Sequence, residues 1–328
     1  TGRLVISRTR ELRPILKSLG GAPEPRVPKV EQSNTSVFYD EKLILKLLRR
    51  VQPGLNPDLE IGRFLTESVQ FPYTPPVAGA LEYVDSSDEP TTVATLQGFV
   101  QNEGDAWHYT LDFLGRYYEE AAGRADESRR IPATDKPLLA AIEEEPPRIA
   151  RELLGIYMEQ AAVLGQRTAE FHIALASDVS NPRFAPEAFT AFYRQSQYQS
   201  MLSLTTDVFR MLQAGLSDLP EALRPQASRV LDNERQIVER YRPMRDTRFS
   251  SMRIRTHGDY HLGQVLYTGK DFVLMDFEGE PARSITERRT KTSALRDVAG
   301  MLRSIHYASF AAAFEMADSP TPIDLEDI

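Results

Sequence analysis

The most informative residues form two runs, Thr256-His257-Gly258-Asp259-Tyr260-His261-Leu262-Gly263-Gln264-Val265-Leu266 and Val273-Leu274-Met275-Asp276-Phe277-Glu278. The first run concentrates histidine, aspartate and glycine in a loop and reaches a side-chain amide. The second is a short apolar strand that ends in an aspartate. Phosphoryl transfer needs one carboxylate to accept the proton of the attacking hydroxyl, and an amide oxygen and a second carboxylate to hold Mg²⁺ on the phosphates. We therefore predict that Asp259 is the catalytic base and that Gln264 and Asp276 bind Mg²⁺.

The first hundred residues favour a small sheet with few helices. Two apolar segments of strand length, Thr35–Tyr39 and Lys42–Leu48, flank the polar pair Asp40-Glu41, and this arrangement predicts a hairpin. Asn56 is suited to cap a helix, because Pro57 fits the first helical position and acidic residues load the first turn. Two further strands are predicted at Val77–Val84 and Thr91–Val100.

Helical spacing of apolar residues dominates after about residue 102. Helices are predicted at 106–122, 148–176, 186–216, 224–241 and 293–317, with short strands at 253–256, 264–267 and 272–275. The prediction is therefore an α+β protein with two lobes, a small mixed lobe over residues 1–102 and a larger helical lobe over residues 103–328. Four prolines and many charged residues within 123–147 indicate a surface excursion.

The composition excludes several classes of protein. The chain of 328 residues carries 39 basic and 47 acidic side chains, a net charge of -8 that offers no electrostatic footprint for nucleic acid or anionic lipid. It contains no cysteine, which rules out disulfide scaffolds and thiolate sites and fits a cytoplasmic protein. No apolar run reaches the ~18 residues that a bilayer span needs.

The pattern His-Gly-Asp-x-His-x-Gly-(Asn/Gln), followed by Asp-Phe, resembles the aminoglycoside phosphotransferase and choline kinase branch of the protein-kinase-like fold. Within that branch the chain resembles the bacterial maltokinases, including those fused to trehalose synthase. The segments that carry this resemblance are Glu31–Ser36, Leu43–Leu47, Asn56–Leu65, Gln97–Val100, Gly104–Trp107, His257–Gln264, Asp276–Pro281 and Arg296–Leu302. They occur in order over most of the chain.

The resemblance implies a nucleotide site in the small lobe. Lys46, in the middle of a strand, would contact the ATP phosphates, and Glu60 on the following helix would be its ion-pair partner. In place of a glycine-rich loop, four polar residues would cradle the phosphates; these are Ser33, Asn34, Thr35 and Ser36. The connector between the lobes would meet adenine through Gln97, Phe99 and Val100.

Further residues near the loop have supporting roles by the same resemblance. Zinc binding by His257 and His261 is rejected because a third ligand is missing. His257 would instead brace the loop through the backbone, and His261 would lie near the acceptor hydroxyl. Asp297 would fix the position of the catalytic loop, residues 257–264. Glu278 replaces the glycine of the protein-kinase Asp-Phe-Gly. Arg288 and Arg289 either contact the acceptor or phosphate or belong to a solvated basic loop, and both alternatives stay open.

The activity implied by the resemblance is transfer of phosphate from ATP to maltose, giving maltose 1-phosphate and ADP for trehalose and glycogen metabolism. Two alternatives remain: a kinase with another acceptor (an aminoglycoside, a choline-like alcohol or another sugar), and a nucleotide-binding module attached to a trehalose synthase. Maltokinases carry an additional N-terminal cap and a longer C-terminal helical stretch that helps to form the sugar site. We therefore expect this chain to be an excised domain or a shortened relative.

Overall fold

A computed structural model describes residues 2–28, 34–86, 89–124, 140 and 144–317. The chain divides into two compact units, one of residues 1–185 with 254–328 and one of residues 186–253. The predicted lobe boundary at residues 102–103 falls within the first unit and stays a prediction. Most of the predicted surface excursion at 123–147 lies outside the described residues.

The first unit contains a six-stranded antiparallel sheet in the order β1-β5-β6-β4-β3-β2. Its strands are β1 (Arg3–Arg8), β2 (Pro25–Arg26), β3 (Thr35–Tyr39), β4 (Leu43–Leu47), β5 (Val77–Val84) and β6 (Pro90–Gly98). The predicted hairpin is confirmed, since β3 pairs with β4 from Thr35 opposite Leu47 to Tyr39 opposite Leu43. Asp40 and Glu41 form its turn with φ of 48° and 49°, a left-handed conformation that Asp adopts more readily than most residues.

Two helices accompany the sheet, α1 (Leu12–Ser18) and α2 (Pro57–Arg63). The predicted start of α2 is confirmed: the Asn56 side chain accepts a hydrogen bond of 2.7 Å from the Asp58 N–H, and Pro57 is the first helical residue. The helix then continues as a π-helical turn, Phe64–Val69, and ends at Gln70 with φ of 57°. Apolar spacing predicts helix here but does not distinguish the π form from the α form.

The rest of the first unit is mainly helical. It comprises α3 (Ala106–Gly123), α4 (Arg148–Leu175), α9 (Ile285–Arg288) and α10 (Leu295–Ala317), with a hairpin of β9 (Val265–Tyr267) and β10 (Phe272–Leu274). Its core joins the π turn, α4 and the hairpin through Leu65, Phe171, Leu175, Val265 and Leu274, all almost fully buried. The predicted helices at 106–122, 148–176 and 293–317 are confirmed to within two residues at their ends.

The second unit consists of short strands and helices, namely β7 (Glu187–Ala188), α5 (Ala191–Gly215), α6 (Arg224–Asp232), α7 (Glu234–Glu239), α8 (Arg242–Asp246) and β8 (Met252–Arg253). The helix predicted from residue 186 begins at Ala191, because Thr190 caps it and the preceding residues pair with β8. The helical segment predicted at 224–241 is broken at Asn233. None of the helices in the described ranges is long and apolar enough to cross a membrane.

Candidate active site

The loop between residues 257 and 264 is held by one buried carboxylate, that of Asp297 on α10. Its Oδ2 accepts hydrogen bonds from the His257 N–H (2.8 Å) and from His172 Nε2 (2.9 Å), and its Oδ1 accepts one from the Gly258 N–H (3.0 Å). Gly258 has φ of +86°, and a Cβ there would lie 3.4 Å from the Cα of Gly279. Asp297 thus anchors the start of the loop at a position that favours glycine.

The neighbours of Asp297 set its ionisation. Burial alone would raise the pKa of this carboxyl, but the hydrogen bond from His172, the nearby imidazole of His257 and the Gly258 N–H together hold the pKa below its ordinary value. His172 is buried and its imidazole is bound to Asp297, so it is a satisfied core histidine. The carboxylate is therefore the ionised form that the surrounding donors require.

The two histidines of the loop bind backbone groups. His257 Nε2 donates to the Met275 carbonyl at 3.0 Å, and burial lowers the pKa of this imidazole. His261 Nδ1 accepts a hydrogen bond of 3.1 Å from the Gly263 N–H. Within the described ranges, no group of three or more His, Asp and Glu side chains forms a metal cluster.

A cavity of about 250 Å³ opens beside the loop. Its wall brings together the predicted base Asp259 and the predicted metal ligands Gln264 and Asp276. Asp276 has φ of 66°, a strained conformation for a residue with a side chain and one that clusters at functional sites. One carboxylate and one amide oxygen suit Mg²⁺, which keeps several waters and uses substrate phosphates for its other ligands.

A second cavity, of about 570 Å³, lies against the sheet and shares Asn34, Gln264 and Asp276 with the first. Strand alternation explains its wall: Ser36 lies opposite Lys46 and Phe38 opposite Ile44, so these side chains share a face. The predicted residues that line this cavity are Asn34, Ser36, Lys46, Gln97, Phe99 and Val100.

Several predicted nucleotide contacts are placed differently. Thr35 lines neither cavity, because it lies on the opposite face of β3, where its hydroxyl accepts a hydrogen bond of 3.2 Å from Arg49. Ser33 lies outside the described residues. In the connector, the Phe99 N–H already donates to the Lys42 carbonyl (2.8 Å), and the Val100 carbonyl accepts from Asn102 (2.7 Å). These two backbone groups are therefore occupied.

Lys46 lies within a group of carboxylates. Its Nζ is 3.9 Å from Asp58 Oδ2. Burial lowers the pKa of the Lys46 ammonium, but the charges of Asp58, Asp276 and Glu278 outweigh it and raise the pKa above its usual value. Burial and the nearby charges of Asp276 and Asp58 raise the pKa of Glu278, whose Oε1 accepts a hydrogen bond of 2.8 Å from Asn34. Three carboxyl groups therefore surround one ammonium group, and this excess of acidic groups favours the binding of a further cation.

The predicted ion pair between Lys46 and Glu60 is wrong. Glu60 is hydrogen-bonded to two arginines instead: Arg255 Nη1 lies 2.6 Å from Oε2, and Arg289 spans both oxygens at 2.9 and 2.8 Å. A third, Arg183, is within ion-pair distance at 3.8 Å. Residues two apart on a helix lie on nearly opposite sides of it, because each residue turns the helix by about 100°. Asp58 therefore faces Lys46, while Glu60 faces away from it. The missed signal was Arg255 itself, an arginine directly before the His-Gly-Asp loop, which must find an anion when it is buried.

The two candidate acceptor arginines separate in the structure. Arg288 lines the smaller cavity, where it donates to the Glu278 carbonyl at 3.1 Å and to Gln52 Oε1 at 2.6 Å. Arg289 is committed to Glu60. Of the two alternatives for this basic segment, contact with substrate therefore fits Arg288 and not Arg289.

No protein-family model matches the chain. It is 22% identical over 301 residues to a glucosamine kinase of Streptacidiphilus jiangxiensis, a match covering 90% of this chain and 57% of the relative. It is 23% identical over 283 residues to a glucosamine kinase of Mycolicibacterium smegmatis, covering 86% of this chain and 59% of the relative. The chain thus spans less than two thirds of the length of either relative.

A solved structure of a glucosamine kinase in complex with glucosamine, ADP and inorganic phosphate superimposes with a TM-score of 0.64 at 20% identity. The superposition covers 97% of this chain and 62% of the other. This agreement confirms the predicted α+β, protein-kinase-like fold. Both relatives and the protein in this solved structure are named glucosamine kinases, and none is named a maltokinase.

Proposed function

We propose that this chain transfers the γ-phosphoryl group of ATP to a hydroxyl of a sugar and requires Mg²⁺. One observation carries the proposal: Gln264 and Asp276 line both cavities, so the predicted metal ligands lie where a nucleotide space and an acceptor space meet. Asp259 lines only the smaller cavity, and Lys46 only the larger one. The base and the phosphate-binding lysine therefore line different cavities that share the metal ligands, an arrangement suited to transfer from a nucleotide in one cavity to an acceptor in the other.

Each side chain then has a specific task. Asp259 accepts the proton of the sugar hydroxyl. The oxygen of that hydroxyl forms a bond to the γ-phosphorus, and the bond between the γ-phosphorus and the bridging oxygen, which leaves with ADP, breaks. Lys46, held by Asp58, binds the phosphates of the nucleotide. Gln264 and Asp276 would hold Mg²⁺, which neutralises charge on the phosphates when bound. The protein contributes placement and electrostatic stabilisation, which dominate in phosphoryl transfer.

Glucosamine is the acceptor we propose first, because the curated relatives and the superimposed structure carry that name. The smaller cavity supports a monosaccharide, since its volume of about 250 Å³ is below the ~300–1,000 Å³ of pockets for drug-sized ligands. Maltose remains the second candidate on the strength of the motif resemblance. A trehalose synthase partner and a role in α-glucan metabolism are proposed only together with maltose as the acceptor.

The test is an ATP turnover assay with Mg²⁺ and a panel of glucosamine, glucose, maltose, choline and an aminoglycoside, with products identified by mass. We expect a glucosamine phosphate and ADP in equal amounts. Asp259→Asn should lower kcat by about 10²- to 10⁴-fold, because the base is lost while the shape of the side chain is kept. The KM for ATP should stay within about twofold, since Asp259 lies outside the nucleotide cavity.

Asp112→Asn is the matched control, because Asp112 is an exposed aspartate of α3 that lines neither cavity. Phosphorylation of maltose but not glucosamine would restore the maltokinase hypothesis. Saturable ATP binding without transfer to any acceptor would contradict the proposed activity and favour the nucleotide-binding module.

A further inference from the structure

The first turn of α2 is bound from two sides. Asp58 is buried behind two residues that line the nucleotide cavity: its Oδ2 lies 3.9 Å from Lys46 Nζ and 3.4 Å from Gln97 Nε2, and its Oδ1 accepts from the Phe277 N–H at 2.9 Å. Glu60, two residues later, faces the opposite way and binds Arg255 and Arg289. One helical turn therefore contacts both the segment that carries Asp276 and the segment that leads into the catalytic loop.

Arg255 connects Glu60 to the loop. It precedes Asp259 by four residues, and only 2% of its surface is exposed. Its neighbour Ile254 is joined to Thr292 by a pair of backbone hydrogen bonds of 2.9 Å. Arg255 thus lies between a residue fixed by backbone hydrogen bonds and the loop of Asp259, so a shift of Arg255 would move the residues that follow it.

Glu60 is the only carboxylate within ion-pair distance of Arg255 in the described part of the chain. Among the residues that the structure describes, the Nε and Nη2 of Arg255 have no hydrogen-bond partner, so the buried guanidinium depends on its contact with Glu60. Burial lowers the pKa of Arg255, and the nearby charges of Arg289 and Arg183 act in the same direction, while Glu60 opposes them. A buried cation held by a single anion is sensitive to the loss of that anion.

Arg289 extends the connection to the other side of the site. It binds both oxygens of Glu60, and it directly follows Arg288, which lines the smaller cavity. Glu60 is thus the point where α2, the lead-in to the catalytic loop and the end of α9 meet.

We propose that Glu60 is a positioning residue, which holds the loop of Asp259 and the segment of Arg288 in register with the first turn of α2, whose Asp58 contacts Lys46. The inference rests on the proposed kinase activity for its kinetic readout only. The change Glu60→Gln keeps the shape of the side chain but replaces one of its two oxygens by an amide NH₂ group. That group then faces an arginine N–H, which is also a donor. The ion pair and at least one hydrogen bond are lost, and the loop loses its fixed position.

The experiment compares Glu60→Gln with Glu67→Gln, a change at an exposed residue of the π turn that follows α2. In Glu60→Gln we expect kcat per folded molecule to fall about ten- to hundredfold, as for other residues that orient catalytic groups. The KM for ATP should change by less than about threefold, because Lys46 and Asp58 are untouched. Glu67→Gln should match the wild type.

Hydrogen exchange gives a readout that does not need an acceptor. Amides of residues 256–264 should exchange faster in Glu60→Gln, while those of β5 and β6 should not change. Arg289→Gln is the second variant, because it removes contacts to Glu60 while Arg255 and Glu60 stay paired, and it should show the same local effect with a smaller size. Equal acceleration in all peptides, or unchanged exchange of residues 256–264 in both variants, would overturn the proposal. Altered exchange without any sugar phosphorylation would instead refute the kinase activity alone.

Discussion

At the scale of single residues, Asp297 shows how a buried charge can be stable in this protein. Its two oxygens receive two backbone N–H groups and one imidazole, so every oxygen faces a donor. These donors favour the ionised form, which is why the pKa lies below its ordinary value in spite of burial. A carboxyl whose pKa is lower in the folded state adds stability at every pH above its unfolded pKa of ~3.9. That stability disappears as the pH falls through the lower folded value.

Asp297→Asn should therefore destabilise the protein in a pH-dependent way. The amide NH₂ would face a backbone N–H, either of His257 or of Gly258, and would leave a buried donor without an acceptor. We expect the free energy of unfolding to fall by about 1–3 kcal/mol at pH 7. The difference from the wild type should shrink as the pH falls below about 4, because the carboxyl of the unfolded wild type then takes up a proton while the folded one, whose pKa is lower, must be forced to do so.

The measurement is urea unfolding of the two proteins at pH values from 3 to 7. Asp112→Asn serves as the control, since that aspartate is exposed on α3. A difference that stays constant over this range would show that ionisation of Asp297 does not contribute to stability.

At the scale of elements, α2 shows what local sequence determines. Its start follows from Asn56 and Pro57, a cap and a first-turn residue whose preferences arise from the backbone alone. The predicted hairpin and the β9–β10 strands are confirmed for the same reason, because turn residues and strand periodicity act over a few neighbours. The side-chain partner of Glu60 could not be predicted, because Arg255 and Arg289 follow it by 195 and 229 residues.

Other differences also have physical reasons. The π turn after α2 cannot be recognised from the sequence, because its apolar residues Phe64 and Leu65 occur at the positions that an α-helix would also give them. The late start of α5 depends on pairing of β7 with β8, two strands that lie far apart along the chain. At the site, residue types predicted the convergence of Asp259, Gln264 and Asp276, whereas strand alternation turns Thr35 away from the predicted position.

Asn56→Ala tests the cap of α2. The side-chain oxygen that accepts the Asp58 N–H is lost, and we expect a destabilisation of about 1 kcal/mol in urea unfolding. Asn56→Ser should retain most of the stability, because serine supplies an acceptor at the same place. If the alanine and serine variants were equally stable, the cap would not contribute to the fold as the geometry implies.

At the scale of the whole molecule, all the residues that line the two cavities belong to the first unit. Residues from the sheet, from the connector and from the catalytic loop line the larger cavity together, and three of its residues belong to the smaller one as well. The acidic groups around Lys46 repel a nucleotide that brings only phosphates. A divalent cation changes this balance, because it lies between the carboxylates and the phosphate oxygens.

Mg²⁺ and ADP should therefore stabilise the protein together more than ADP does alone. A ligand present at about 100 times its Kd adds about 2.7 kcal/mol to the folded state, which corresponds to a rise in Tm on the order of 5 °C. Asp276→Asn should lose the increment that Mg²⁺ adds, because an amide replaces the charged ligand. It should keep the response to ADP alone, since removing a negative charge does not weaken phosphate binding.

Thermal unfolding with ADP, with Mg²⁺ and with both measures the increment, and Asp112→Asn should behave as the wild type. An increment of equal size in Asp276→Asn would refute the assignment of this residue as a metal ligand, whatever the acceptor proves to be.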